Sequence, residues 1–308
     1  MIKVTRREDL EQIFSPSKTG WRGSDGVYCL EEDESLLWYF SDTLNGPKKE
    51  IIHNCFGFSS KKVRTVSFRA DRAFLKAPGL FYWPQDCYQD GENLYFFCLA
   101  LEEGKKEDFP LAGVDLVRVR KDREKLIQTA IYKIPSLGIP SINLFLGSEV
   151  TWDETYVYIY GYIQTAGKKQ MIVSRMPKEG FPDERGTYLT ESGWSERPER
   201  LKILASDISP EFQIFQVGRK YYLAYVSGSV SGEIYLTYAD SPFGFFPPGE
   251  KIYICPEQGR KVICYNAKIQ AALSNQRRII ISYHVNALLK EDLYKEDIYR
   301  PHFLEVTL

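Results

Sequence analysis

The apolar positions of this chain fall in short runs, not along a helical stripe. LLWYF (36–40), LYFFCLAL (94–101), YVYIYGY (156–162), YYLAYV (221–226) and IIISYH (279–284) are aromatic or β-branched and bounded by Gly, Pro, Asn and Asp. Such runs predict strands, because these side chains fit a pleated, half-buried surface. Each is followed by a second strand-like run: IIHNCFGF (51–58), VDLVRVR (114–120), QMIVSRM (170–176), EIYLTYA (233–239) and HFLEVTL (302–308). TVSFRA (65–70), LIQTAIYKI (126–134) and EKIYICP (250–256) supply further candidates.

The runs recur with a period. The polar residues that open the units align as Asp25, Asp86, Glu149, Glu211 and Lys268, at spacings of 61, 63, 62 and 57 residues. Five units of about four strands each predict an all-β chain, a five-bladed β-propeller spanning 1–308 as a single domain. A pair of β-sandwiches would use the same strands but gives no reason for even spacing. The opening IKVT is expected to close the ring by pairing with the last blade.

Composition narrows the class. With 308 residues and 44% apolar side chains, the chain has the means to bury a sizeable core. Its 21 Tyr, 18 Phe and 5 Trp suit strands and sugar-facing surfaces equally. A net charge of -1 without a basic block argues against nucleic-acid and anionic-membrane partners. No run approaches the ~20 apolar residues of a membrane span. The start, MIKVTRREDLEQIF, lacks the apolar stretch of a secretory signal. A cytoplasmic location is therefore expected, with a trimmed export signal as the alternative. The sequence does not specify an oligomeric state. Cys29, Cys55, Cys87, Cys98, Cys255 and Cys264 show no C-x-x-C spacing and are expected to be buried, reduced thiols. The polar stretches 105–115 and 177–200 read as surface loops.

The predicted propeller changes the meaning of the acids. Residues in phase on successive blades converge on one axial pocket, which would gather Asp25, Asp86, Glu149 and Glu211. Crowded carboxylates raise one another's pKa, so one keeps its proton while another is ionised. Cleavage of a glycosidic bond needs that division of roles. The ordinary duty of each acid alone is a turn or cap, as for Asp90 and Asp153 in QDGENLY and WDETYVY. Asp42 lies 17 residues beyond Asp25 across a hairpin and joins it as the second half of a catalytic pair. Trp21 and Trp83 flank these acids, either stacking on sugar or packing between blades, and Trp38 belongs to the core. Arg22 and Lys268 would offset the negative charge or hold an anion. His53 and Asn54 in blade one, and Tyr283 and Asn286 in the SYHVN segment, complete the candidate substrate-binding set. His284 reads as a core histidine or as a residue reaching a channel calcium ion through water. No calcium loop, P-loop, dinucleotide fingerprint or zinc spacing is present, so no cofactor is required.

Taken in order, SDGVYCL…LLWYFSDT, YWPQD…LYFF, YVYIYG…SRMP, PEFQIF…YYLAYV…YADSPFG and YNAKIQAALS…IIISYHVN resemble a five-bladed propeller family long known only as a domain of unknown function. That family is related to glycoside hydrolase family 43, and some of its members are endo-acting D-arabinanases. The resemblance runs from about residue 20 to the end. It implies acids at Asp25, at Asp86 after Trp83-Pro84, and at Glu211. A Gly-Asp-Thr motif of the arabinanase-like relatives corresponds to Ser41-Asp42-Thr43, with Ser in place of Gly. Phe212-Gln213 follows Glu211 where the family-43 form has Gly-Pro. The function so implied is hydrolysis of an arabinose-like or related oligosaccharide. A phosphorylase, a glycan-binding propeller without chemistry and a protein-interaction platform are the alternatives.

Overall fold

In the computed structural model, residues 2–17, 19–32, 34–48, 50–62, 65–104, 110–182, 186–288 and 298–308 are described. Parts of the two expected surface loops, 105–109 and 183–185, lie outside them. Among the described residues antiparallel strands predominate, with one short α-helix, Glu8–Glu11, and three 3-10 turns. Among the described residues no helix is long and apolar enough to cross a membrane.

The Cα packing divides the chain into two compact units. One comprises 1–73, 211–242 and 246–308; the other comprises 74–210 and 243–245.

The first unit holds three four-stranded meanders. Tyr28–Glu31, Ser35–Phe40, Cys55–Ser60 and Ser67–Arg69 form one, and Gln213–Val217, Lys220–Val226, Glu233–Ala239 and Glu250–Ile254 a second. In the third, Val262–Ile269, Arg278–Ala287 and Pro301–Thr307 are completed by the N-terminal strand Lys3–Arg6. Lys3 faces Thr307 and Arg6 faces Leu304, so the expected pairing of the two chain ends is present. Arg6 reinforces it, donating to Glu11 at 2.8 Å and to Glu257 at 2.7 Å. Phe14, just past the short helix, stacks on Phe303 and meets Trp38 edge-on, with centroids 5.6 and 5.0 Å apart. A small sheet, Trp21–Ser24, Thr43–Asn45 and Glu50–Ile52, stands beside the first meander. It divides the run IIHNCFGF, expected as one strand: Glu50–Ile52 pairs with Thr43–Asn45, whereas Cys55–Ser60 pairs with Ser35–Phe40. His53 and Asn54 sit at the break.

The second unit holds two larger sheets. Leu80–Asp90, Asn93–Glu102, Leu111–Asp122 and Lys125–Lys133 make the first. Leu144–Trp152, Tyr156–Thr165 and Lys168–Pro177 lead the second.

The long first strands share a device. Their register shifts at Gln85–Asp86, at Gly147–Ser148 and at Asn266–Ala267. Asp86, Glu149 and Lys268, aligned by spacing in the sequence, therefore sit within or just after a bulge, where the local kink re-aims a side chain. All six cysteines are free and buried.

Candidate active site

Two turns of the first unit bring Asp25 and Asp42 together. The Asp25 amide donates to the Asp42 carbonyl at 3.1 Å, and the Ser41 amide donates to the Asp25 carbonyl at 3.0 Å. Ser24, just before Asp25, pairs with Thr43, just after Asp42, their hydroxyls 2.9 Å apart. Gly26 permits the approach: its φ is +60°, and a Cβ there would lie 2.4 Å from Ser41 Oγ. The turn residues of the motif are thus also the device that joins the two acids.

Each carboxylate has its own surroundings. Tyr265 donates its phenol to Asp25 Oδ2 at 2.6 Å, and Asn286 Nδ2 donates to Tyr265 at 3.2 Å. Tyr299 adds a second hydrogen bond to Asp25. His53 Nδ1 lies 2.9 Å from Asp42 Oδ1. Burial pushes the Asp25 carboxyl up to about 7, and the negative charge of Asp42 adds to the rise; Glu211 pushes the same way, while the two tyrosine hydroxyls pull it down. Burial and the adjacent Asp25 likewise hold the Tyr265 phenol well above its ordinary range.

Glu211 is held from the bulge at Asn266–Ala267. Asn266, with a φ of +53°, donates Nδ2 to Glu211 Oε1 at 2.7 Å. Lys268 pairs with Glu211 Oε2 and lies 3.6 Å from the centre of the Tyr28 ring. The lysine is fully buried, so its charge is matched by a carboxylate and an aromatic face and not by water.

The other predicted residues are placed as follows. Asn54 is buried and Arg22 is half-buried on the strand Trp21–Ser24. Trp21 is a core ring: it is 2% exposed, stacks on Phe68 at 4.2 Å and donates Nε1 to Ser24. No ring face is left for sugar. Tyr283 is also buried, stacked on His302 at 5.2 Å, with its hydroxyl on Glu257. His284 is fully buried, and neither ring nitrogen finds a hydrogen-bond partner among the described residues. Burial and the Lys268 charge hold its pKa well below the ordinary range, so it is a neutral imidazole. Among the described residues no group of three or more His, Cys, Asp or Glu is placed to hold a metal ion.

Asp86, Glu149 and Trp83 belong to the second unit. Asp86 is buried and accepts the amides of Cys87 at 2.9 Å and Val150 at 2.8 Å, tying two first strands together. Glu149 is buried beside its bulge. Trp83 is half-buried and edge-on to Phe81, with centroids 6.1 Å apart.

Tyr265, Tyr299 and Asn266 were not singled out in the sequence. The tyrosines are two of 21 and carry no motif. Asn266 left a signal, an Asn inside a strand-like run, which suits a left-handed bulge position.

The sheet order defines an all-β protein built from antiparallel meanders. The chain belongs to the family described as Domain of unknown function (DUF5005), whose model matches residues 57–307. The sequence matches no curated protein. Among solved structures, one from Bacteroides ovatus ATCC 8483, provisionally assigned as a hydrolase, aligns at a TM-score of 0.79 and 17% identity, over 99% of this chain and 90% of the other. The α-L-arabinofuranosidase PaAbf62A of Podospora anserina, solved with cellotriose, aligns at 0.56 and 13% identity, over 96% of each chain. A GH43_1 enzyme of Xanthomonas citri aligns at 0.53 and 15% identity, over 98% and 93%. At these identities the likeness concerns the fold.

Proposed function

We propose that this chain is a five-bladed β-propeller glycoside hydrolase acting on an arabinose-like or related oligosaccharide, with Asp25 and Asp42 as its catalytic carboxyls. The observation that carries the reading is the Asp25 carboxyl, raised to about 7 beside the charge of Asp42. A carboxyl of that pKa holds a proton near neutral pH and gives it up readily, as a general acid must. Asp25 protonates the leaving glycosidic oxygen, while Asp42, oriented by His53, serves as base or nucleophile. Glu211, fixed by Asn266 and Lys268, raises Asp25 further. The sugar complexes among the structural neighbours lend the fold a glycan context.

A second reading, glycan binding without chemistry, is favoured by Glu211 alone. Both of its oxygens are engaged by the protein, so it has little freedom as a proton donor.

A screen of arabino-, galacto-, xylo- and manno-oligosaccharides, with and without phosphate, tests the proposal by the reducing ends released. Hydrolysis by the wild type, reduced roughly 100-fold or more in Asp25→Asn and Asp42→Asn, supports it. Full activity in either variant removes that residue from the chemistry. Binding without turnover supports the second reading, and sugar phosphate released only with phosphate marks a phosphorylase.

A further inference from the structure

The second unit contains a cavity of about 280 Å³ that the acids discussed so far do not line. Its walls are aliphatic, from Leu80, Ala100, Ala112, Val114, Ile134 and Pro135. Asp115 and Lys133 supply the charge.

The cavity follows from local backbone choices. Along the pairing of Asn93–Glu102 with Leu111–Asp122, Ala100 faces Gly113 and Leu101 faces Leu111, so Ala112 is extruded as a bulge. Gly113 has a φ of +149°, and the chain at Gly138 packs so closely that a Cβ there would lie 2.5 Å from the Val114 amide. Small residues at Ala100, Ala112, Gly113 and Gly138 leave open the space that larger side chains would fill.

The polar end is only half satisfied. Asp115 is 5% exposed, and its Oδ2 takes both the Tyr82 hydroxyl, at 2.5 Å, and the Lys133 ammonium. Oδ1 receives no hydrogen bond from the described residues. The Lys133 side chain is 59% exposed, and an ammonium carries three donors, of which Asp115 uses one. An acceptor and a donor therefore lie side by side in a pocket with aliphatic walls. A vicinal diol matches that pair: one hydroxyl donates to Oδ1, its neighbour accepts from Nζ, and the ring carbons meet the walls. A diol makes these two bonds as a neutral group, whereas a zwitterion would have to give up the hydration of two full charges beside the aliphatic walls.

We infer that this cavity is a carbohydrate-binding site that takes the vicinal diol of a single sugar unit, in addition to the site at Asp25. Saturation-transfer NMR with D-glucose, D-galactose, D-xylose and L-arabinose tests this, with glycine as the zwitterionic control. At least one sugar is expected to saturate with a Kd of about 1–10 mM. Asp115→Asn is expected to weaken it roughly tenfold, and so is Ala112→Trp, which blocks the mouth from an exposed position and leaves the core untouched. Loss of the signal in Ala112→Trp assigns it to this cavity and not to the site at Asp25. The inference is overturned if no sugar saturates, if binding survives Ala112→Trp, or if glycine binds in preference to every sugar.

Discussion

Tyr265 reaches Asp25 across 240 residues of sequence, its hydroxyl 2.6 Å from Oδ2. A phenol donating to a carboxylate stabilises the charged form, so this bond opposes the burial and the neighbouring charges that raise Asp25. Tyr265→Phe is therefore expected to move the Asp25 pKa further up, by about one unit. The alkaline limb of the pH–rate profile should move with it, toward higher pH. An unmoved limb would mean that another group governs it.

Asp25 also links stability to pH. Its folded pKa, about 7, lies above the ordinary 3.8, so between those values the folded state binds more protons than the unfolded one. Stability attributable to this residue is complete at low pH and declines as pH rises through the window. Asp25→Asn removes the dependence. The variant should melt a few degrees above the wild type at pH 8 and level with it near pH 4, by calorimetry.

Glu11 carries the opposite sign. Burial raises its pKa, but the hydrogen bonds and charges of His302 and Arg6 outweigh that and bring it to about 2, below the ordinary 4.5. Its contribution is present above the ordinary value and is lost as pH falls toward 2. Glu11→Gln should thus lower Tm by several degrees at pH 7 and leave it unchanged at pH 2. Deleting residues 1–6 removes the strand that pairs with Pro301–Thr307 and should lower Tm further.

The Lys268–Glu211 pair offers a test of burial. Lys268→Met leaves the Glu211 carboxylate, 16% exposed, without its cation, at a cost of about 3 kcal/mol in chemical denaturation. Adding Glu211→Gln removes the uncompensated charge and should recover much of that loss. A double variant no better than the single would locate the cost in packing against Tyr28 instead.

The sequence and the structure agree best where a local rule decides the outcome. Alternation and turn residues predicted Ser35–Phe40, Asn93–Glu102, Tyr156–Thr165, Lys220–Val226 and Arg278–Ala287 close to their observed bounds. The hairpin from Asp25 to Asp42 was legible for the same reason. The regular spacing of Asp86, Glu149 and Lys268 was real as well, though its structural content is a bulge inside a long strand and not the start of one. Ring environments were not legible. Trp21 and Tyr283 have the same composition signals as a sugar platform, and only the packing of Phe68 and His302 against them identifies core rings. Tyr265 and Tyr299 were hidden because a hydroxyl gains its role from a carboxylate hundreds of residues away.

The carboxyl carbon of Asp25, followed by NMR through a pH titration of the wild type and of Asp42→Asn, tests the central relationship directly. A midpoint near 7 is expected in the wild type, with a clear fall once the Asp42 charge is gone. A midpoint near the ordinary 3.8 in both proteins would contradict it.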